Sequence, residues 1–250
     1  MLQRRIEEVA LNSWPALQQV LYDGWIIRFS NGYTKRANSI NPLYPSSLEY
    51  EHKIEFCEVL YAQKRLPPIF RITPLSSAIG LEKVLTQRGY RKVEPTAVMC
   101  LDLAGDLIQA DSSLENLPPD EWSGAFCQLS EVPQEKSRTH LAIVTTIPYR
   151  CLYAAVLNNG KIVACGLGVF EGELCGLFNL VTAPAERNKG FGRRLVAGLL
   201  NWGKSLGARY AYLQVSVDNE IARRLYSGYN FQEAYHYWYW SATRDEDGIS

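Results

Sequence analysis

Val181-Thr182-Ala183-Pro184-Ala185-Glu186-Arg187-Asn188-Lys189-Gly190-Phe191-Gly192-Arg193-Arg194-Leu195 is the stretch on which the reading of this chain turns. An apolar strand, Leu177 to Val181, leads into it. A helix leaves it, with Leu195, Val196, Leu199 and Leu200 on one face and Gly207 as a left-handed cap. Gly190 and Gly192 let a ligand come close to the backbone. The first N–H groups of a helix lack intrahelical acceptors and sit at the positive end of its dipole. Arg187, Lys189, Arg193 and Arg194 add four cations there, an unfavourable concentration unless an anion is present. These features together predict a pyrophosphate site. The spacing Arg-x-x-Gly-x-Gly is neither the P-loop pattern nor the Gly-x-Gly-x-x-Gly nicotinamide fingerprint.

Working outward, Leu174–Val181 precedes the loop, and two further strands, 150–157 and 161–170, come before it. After the helix, Tyr210–Val217 reads as a buried parallel strand. Asp218 or Asn219 then caps a helix bearing Ala222 and Tyr226 four residues apart, and Asn230 suits a left-handed exit. This region resembles the GNAT superfamily of N-acetyltransferases on two motifs. One is Arg187 to Gly192 with Pro184 upstream. The other is Asn-x-x-Ala-x-x-Leu-Tyr-x-x-x-Gly-Phe, matched by Asn219, Ala222, Leu225, Tyr226 and Phe231, with Asn230 in place of the glycine. The resemblance covers residues 120–240. It implies an α/β (α+β) fold, a mixed twisted sheet flanked by helices, with helical pieces 120–131 and 134–145 walling the acceptor side.

The resemblance also implies the chemistry. Acetyl-CoA would be held as co-substrate by Arg187, Asn188, Lys189, Gly190, Phe191, Gly192 and Arg193 at the pyrophosphate. The strand edge Leu180-Val181-Thr182 would pair with the pantetheine amides, and Asn219 would fix that arm. The two parallel strands would splay to admit the thioester, and an N–H near Val181 would polarise its carbonyl. Tyr226 would protonate the leaving thiolate. By itself Tyr226 also reads as one core tyrosine among 15. No base is identifiable. Asn179 cannot be one, Glu171 and Glu173 sit in a turn and read as solvated, and a water relay is the default.

The first half predicts a helix over 1–12, a strand 24–29, a hairpin turn at Ser30-Asn31-Gly32, a partner strand 33–40, a helix 47–64, a strand 69–72, a helix to Arg88, and one or two strands over 90–103. Arg28, Arg36 and Asn38 read either as an exposed sheet face or as an anion site for an acceptor. Val84-Leu85-Thr86-Gln87-Arg88-Gly89-Tyr90 echoes the Tyr226 segment, with Leu85 where Tyr226 stands and no glycine loop upstream. A tandem architecture follows: a degenerate GNAT-like domain 1–105, a linker 106–119 and an acetyl-CoA-binding domain 120–245.

Composition bounds the function. In 250 residues, 47% are hydrophobic, 21% are charged and the formal net charge is +0, an ordinary globular balance that disfavours a nucleic-acid or membrane-surface binder. The N-terminus has no signal-peptide core and no apolar run reaches a membrane span. Six scattered cysteines read as reduced thiols of a cytoplasmic protein, and three distant histidines predict no metal site. The terminal run Tyr235-His236-Tyr237-Trp238-Tyr239-Trp240 would place one face in the core and leave the other for an acceptor cleft or a homodimer contact; the tail after Arg244 reads as frayed. The expected function is acetyl transfer to a primary amine of a small molecule, amino acid or peptide. The alternatives are a non-catalytic acyl-CoA-binding regulatory module and aminoacyl transfer from charged tRNA, the last disfavoured by neutral charge and an intact donor loop.

Overall fold

A computed structural model describes residues 2–76, 78–105 and 113–242. Seven helices and eleven strands are present among them. They form two compact units interleaved along the sequence. Among the described residues, the C-terminal unit takes 2–15, 98–105, 113–215 and 219–234; the N-terminal unit takes 16–76, 78–97, 216–218 and 235–242.

In the C-terminal unit, α1 (Leu2–Ser13), α4 (Pro119–Leu129), α5 (Gln134–Thr145), α6 (Phe191–Ser205) and α7 (Glu220–Ser227) surround strands ordered β10 (Tyr210–Ser216), β9 (Leu174–Thr182), β8 (Lys161–Glu171), β7 (Arg150–Asn158) and β6 (Glu115–Asn116). Antiparallel pairs run from β6 to β9, and β9 and β10 are parallel. Leu195, Val196, Leu199 and Leu200 of α6 are buried, each contributing about 1.5–3 kcal/mol relative to exposure. The helix sits close on the sheet because Gly203 leaves room for Cys175, whose Sγ would lie 2.6 Å from a Cβ there. On the opposite face Trp14, just past α1, stacks on Phe178 at 6.2 Å.

In the N-terminal unit the strand order is β1 (Gln18–Tyr22), β2 (Trp25–Phe29), β3 (Ile40–Pro42), β4 (Ile69–Ile72) and β11 (Gln232–Ser241). The helices α2 (Tyr50–Gln63) and α3 (Leu81–Gln87) bury Ile54, Tyr61, Leu81 and Leu85 with Trp25 and Phe70. Phe70 meets Trp25 and Tyr90 edge-on at 5.9 and 5.2 Å.

Two expectations change. The hairpin lies earlier: β1 and β2 pair through the Asp23-Gly24 turn, with both residues at positive φ. Asn31 and Gly32 also have positive φ, but the chain then enters a 3-10 turn, Lys35–Ala37, because the Asn38 side chain takes hydrogen bonds from Ser30 N at 2.7 Å and Gly32 N at 2.9 Å and closes the loop on itself. Arg36 and Asn38 therefore share no strand face. Arg28 is buried, not exposed, and donates to the Arg36 carbonyl at 2.7 Å. Residues 90–103 give one strand, β5 (Arg91–Asp102).

The units also differ from a division into 1–105 and 120–245. The first helix and Trp14 belong with the C-terminal sheet, while the end of β11 pairs with β4, Tyr239 opposite Arg71. Strands β5 and β11 each contribute residues to both units. Residues 106–112 of the expected linker and everything after 242 lie outside the described residues.

Candidate functional site

The loop after β9 folds as the sequence asks. Pro184–Glu186 makes a short 3-10 turn, Asn188 takes φ +64°, and Gly190 takes φ +89° immediately before α6. Apart from its chain neighbours, no heavy atom among the described residues lies within 4 Å of where a Gly190 Cβ would be, so the glycine answers to the backbone angle and to open space in front of it. No side chain among the described residues caps the start of α6. Lys189 pairs with Glu186 at 3.2 Å, the Arg187 Nε reaches the Thr182 carbonyl at 3.4 Å, and Arg194 bonds Ser113 at 2.9 Å. Arg187, Asn188, Lys189, Gly190 and Arg193 are exposed, and Phe191 and Gly192 are half-buried.

The strand feeding this loop is open along one edge. β9 pairs with β10 only from Leu174 to Leu177, opposite Tyr210 to Leu213. Beyond that register the two strands have no paired residues, although β9 continues to Thr182 and β10 to Ser216. Toward β8, Val181 and Thr182 remain paired with Cys165 and Ala164. Leu180, Val181 and Thr182 are therefore held from one side and half-buried, as the expected splay requires.

The break coincides with a β-bulge. Phe178 pairs with Leu167 and Val181 with Cys165, so Asn179 and Leu180 together oppose Gly166. Asn179 has φ +51°. The Leu180 side chain turns to the α6 side, its Cδ2 lying 3.2 Å from a Cβ built on Gly166. The Asn179 side chain points to α5, where its Nδ2 lies 2.8 Å from His140 Nε2. His140 Nδ1 is 2.6 Å from Ser123 Oγ and 3.7 Å from Cys127 Sγ, and the ring stacks on Phe126 at 4.7 Å. Burial depresses the His140 pKa to about 4, so the imidazole is neutral at physiological pH. Sequence reasoning missed this connection. A lone histidine in a helix and an asparagine inside an apolar strand carry no mutual spacing signal.

Helix α7 docks beside the same loop. Leu225 Cδ2 lies 3.6 Å from a Cβ built on Gly192, and the Tyr229 hydroxyl donates to the Arg193 carbonyl at 2.7 Å. Asn219 caps α7 by accepting from Ala222 N at 3.0 Å, which commits its Oδ1 to the helix start. Tyr226 is buried against Phe231 at 6.0 Å, and burial pushes its pKa up to about 12. Glu171 is not solvated: it is buried and held by Arg5 at 2.9 Å and by Asn12. Among the described residues no three His, Cys, Asp or Glu side chains gather as a metal site, and no helix is long and apolar enough to cross a membrane. All six cysteines are free thiols.

A family model described as "Probable histone acetyltransferase Rv0428c C-terminal" matches residues 3–240. The uncharacterised N-acetyltransferase YobR of Bacillus subtilis is 30% identical over 235 residues, 91% of this chain and 94% of YobR. The probable histone acetyltransferase Rv0428c of Mycobacterium tuberculosis is 25% identical over 219 residues, which are 85% of this chain and 65% of that protein. Among solved structures, a GCN5-related N-acetyltransferase from Kribbella flavida superposes with TM-score 0.73 at 16% identity, covering 97% of this chain and 96% of its own. A tandem GNAT protein from the clavulanic acid biosynthesis pathway gives TM-score 0.59 at 15% identity, over 76% of this chain and 68% of its own. The two structures speak for the fold; the family match and YobR speak for kinship, and the chain belongs to the Rv0428c C-terminal family of GNAT N-acetyltransferases.

Proposed function

We propose that this acetyltransferase takes its acetyl group from acetyl-CoA and delivers it to a primary amine of a small molecule, amino acid or peptide. The observation that carries the reading is the unpaired edge of β9 ending at the cationic, glycine-opened start of α6. One end of that track suits a pyrophosphate, its middle offers backbone amides to a pantetheine arm, and its far end is the bulge where a thioester would rest. On this reading Arg187 to Arg193 hold the pyrophosphate, Leu180 to Thr182 and the Asn219 amide hold the arm, and α4 and α5 wall the acceptor side.

Transfer then needs an amine at near-attack distance and a carbonyl made electrophilic. A backbone N–H at the bulge supplies the second by stabilising the developing oxyanion. The base is a water relay drawing the proton from the attacking amine. On this reading Tyr226 would face the leaving sulfur as a phenol, which burial keeps protonated at neutral pH. With a thiol pKa of about 8.5, complete handover from a phenol near 12 is uphill by roughly three orders of magnitude. Tyr226 therefore stabilises the departing thiolate by a hydrogen bond, and the proton shed by the amine balances the step. Free thiols and a CoA thioester donor agree with a cytoplasmic setting.

The test is thiol release from acetyl-CoA against a panel of amines, amino acids and lysine-containing peptides; the name of the Mycobacterium tuberculosis relative is the reason for the peptides. Acceptor-dependent release is expected with at least one class. Tight donor binding with no release from any acceptor would favour the regulatory-module alternative.

A further inference from the structure

The proposed chemistry makes no direct use of His140, yet His140 is a fully buried polar residue of the C-terminal unit, tied at both ring nitrogens. As placed, the Asn179 amide nitrogen faces Nε2, so Nε2 accepts and the ring proton sits on Nδ1, donated to Ser123 Oγ. Neither nitrogen is left to take a proton from a substrate. The ring itself packs against Phe126 at 4.7 Å, Trp122 at 5.7 Å and Trp14 at 6.0 Å. What this rigid group holds is the bulge residue Asn179, a non-glycine residue at φ +51° in the middle of a strand. Asn accepts this conformation more readily than most side-chain-bearing residues, but within a strand it persists where the surroundings enforce it. The Ser123–His140–Asn179 chain is that enforcement, anchored on two helices, α4 and α5.

We infer that His140 is a positioning residue for acetyl transfer: through Asn179 it fixes the β9 bulge so that a backbone N–H there points at the donor's thioester carbonyl. The inference rests on the donor reading above and deepens it. An oxyanion donor works by being pre-aimed, so a bulge free to relax toward regular pairing with β8 would still bind acetyl-CoA through the α6 start while polarising its carbonyl less.

The test is isotope-edited infrared spectroscopy of acetyl-CoA carrying 13C at the thioester carbonyl, bound to the wild-type chain, to Asn179→Gly and to His140→Gln. Glycine tolerates the positive φ but loses the bond to His140. The carbonyl band is expected to move to lower frequency on wild-type binding and to return toward its free position in both variants, with acetyl-CoA affinity changed less than about threefold. A merely structural role would lower the melting midpoint and leave the band where wild type puts it. A band kept in place in both variants overturns the inference, and so does a wild-type complex whose band never moves. If wild type does not bind acetyl-CoA at all, the donor reading itself fails, a result distinct from the others. If His140→Gln does not fold, Asn179→Gly decides alone.

Discussion

The starts of α2 and α6 make an instructive pair, because each opens a helix–strand–helix–strand series: α2, β4, α3, β5 in the first half and α6, β10, α7, β11 in the second. The two series end alike. Helix α3 closes with Tyr90 N bonded to Leu85 O at 3.0 Å and Gly89 at φ +85°; helix α7 closes with Phe231 N bonded to Tyr226 O at 3.2 Å and Asn230 at φ +65°. Their beginnings differ. Helix α2 starts from Glu49 at φ −61° with Glu51 in its first turn, whereas α6 starts from left-handed Gly190 among Arg187, Lys189, Arg193 and Arg194. An anion is repelled at the first and invited at the second. Leu85 is a buried hydrocarbon where Tyr226 carries a hydroxyl. What repeats is what a chain needs to turn from helix to strand; what does not repeat is chemical.

Four predictions press on that contrast. Gly190→Glu puts a carboxylate and a strained φ at the donor site, and calorimetry should show acetyl-CoA affinity falling at least about 100-fold. Glu51→Lys at the other helix start should leave it unchanged. Tyr226→Phe should lower kcat roughly 10- to 100-fold with donor affinity intact, since in the proposed mechanism its hydroxyl acts on the leaving group alone. Its counterpart Leu85→Ala should instead cost about 2–5 kcal/mol of stability in chemical denaturation.

The third prediction concerns acid. His140 has a folded pKa of about 4 against about 6.5 unfolded, so the folded state resists protonation. Its contribution to stability is present above pH 6.5 and is lost as pH falls through 4, by roughly 3 kcal/mol from this residue. Melting curves across that window should fall more steeply for wild type than for His140→Gln. The smallest effect is expected where the two helix ends agree. Asn230→Gly should change stability by no more than about 1 kcal/mol, because either residue accepts the left-handed exit.

Much of this was legible in the chain because the signals are local. Gly190, Gly207 and Asn230 announce left-handed backbone, and Leu195, Val196, Leu199 and Leu200 announce a buried face. The proposed donor loop and the helix that carries Tyr226 come from two short motifs, which the fold brings beside one another through Leu225 and Tyr229. What was not legible depends on partners far away in sequence. Asn31-Gly32 reads as a hairpin turn, but Asn38 captures its amides and bends the chain into a 3-10 turn instead. Arg28 lies in a strand buried along its whole length, Trp25–Phe29, and Glu171 is drawn in by Arg5, 166 residues earlier. The bulge at Asn179 and its tie to His140, 39 residues apart, show only once α5 is laid against β9.

The most direct measurement of the difference between the two helix starts is the stoichiometry of acetyl-CoA binding by titration calorimetry on the wild-type chain and on Gly190→Glu. One molecule bound per chain, lost in the variant, is the predicted result. No binding, binding that survives Gly190→Glu, or two molecules per chain would contradict it.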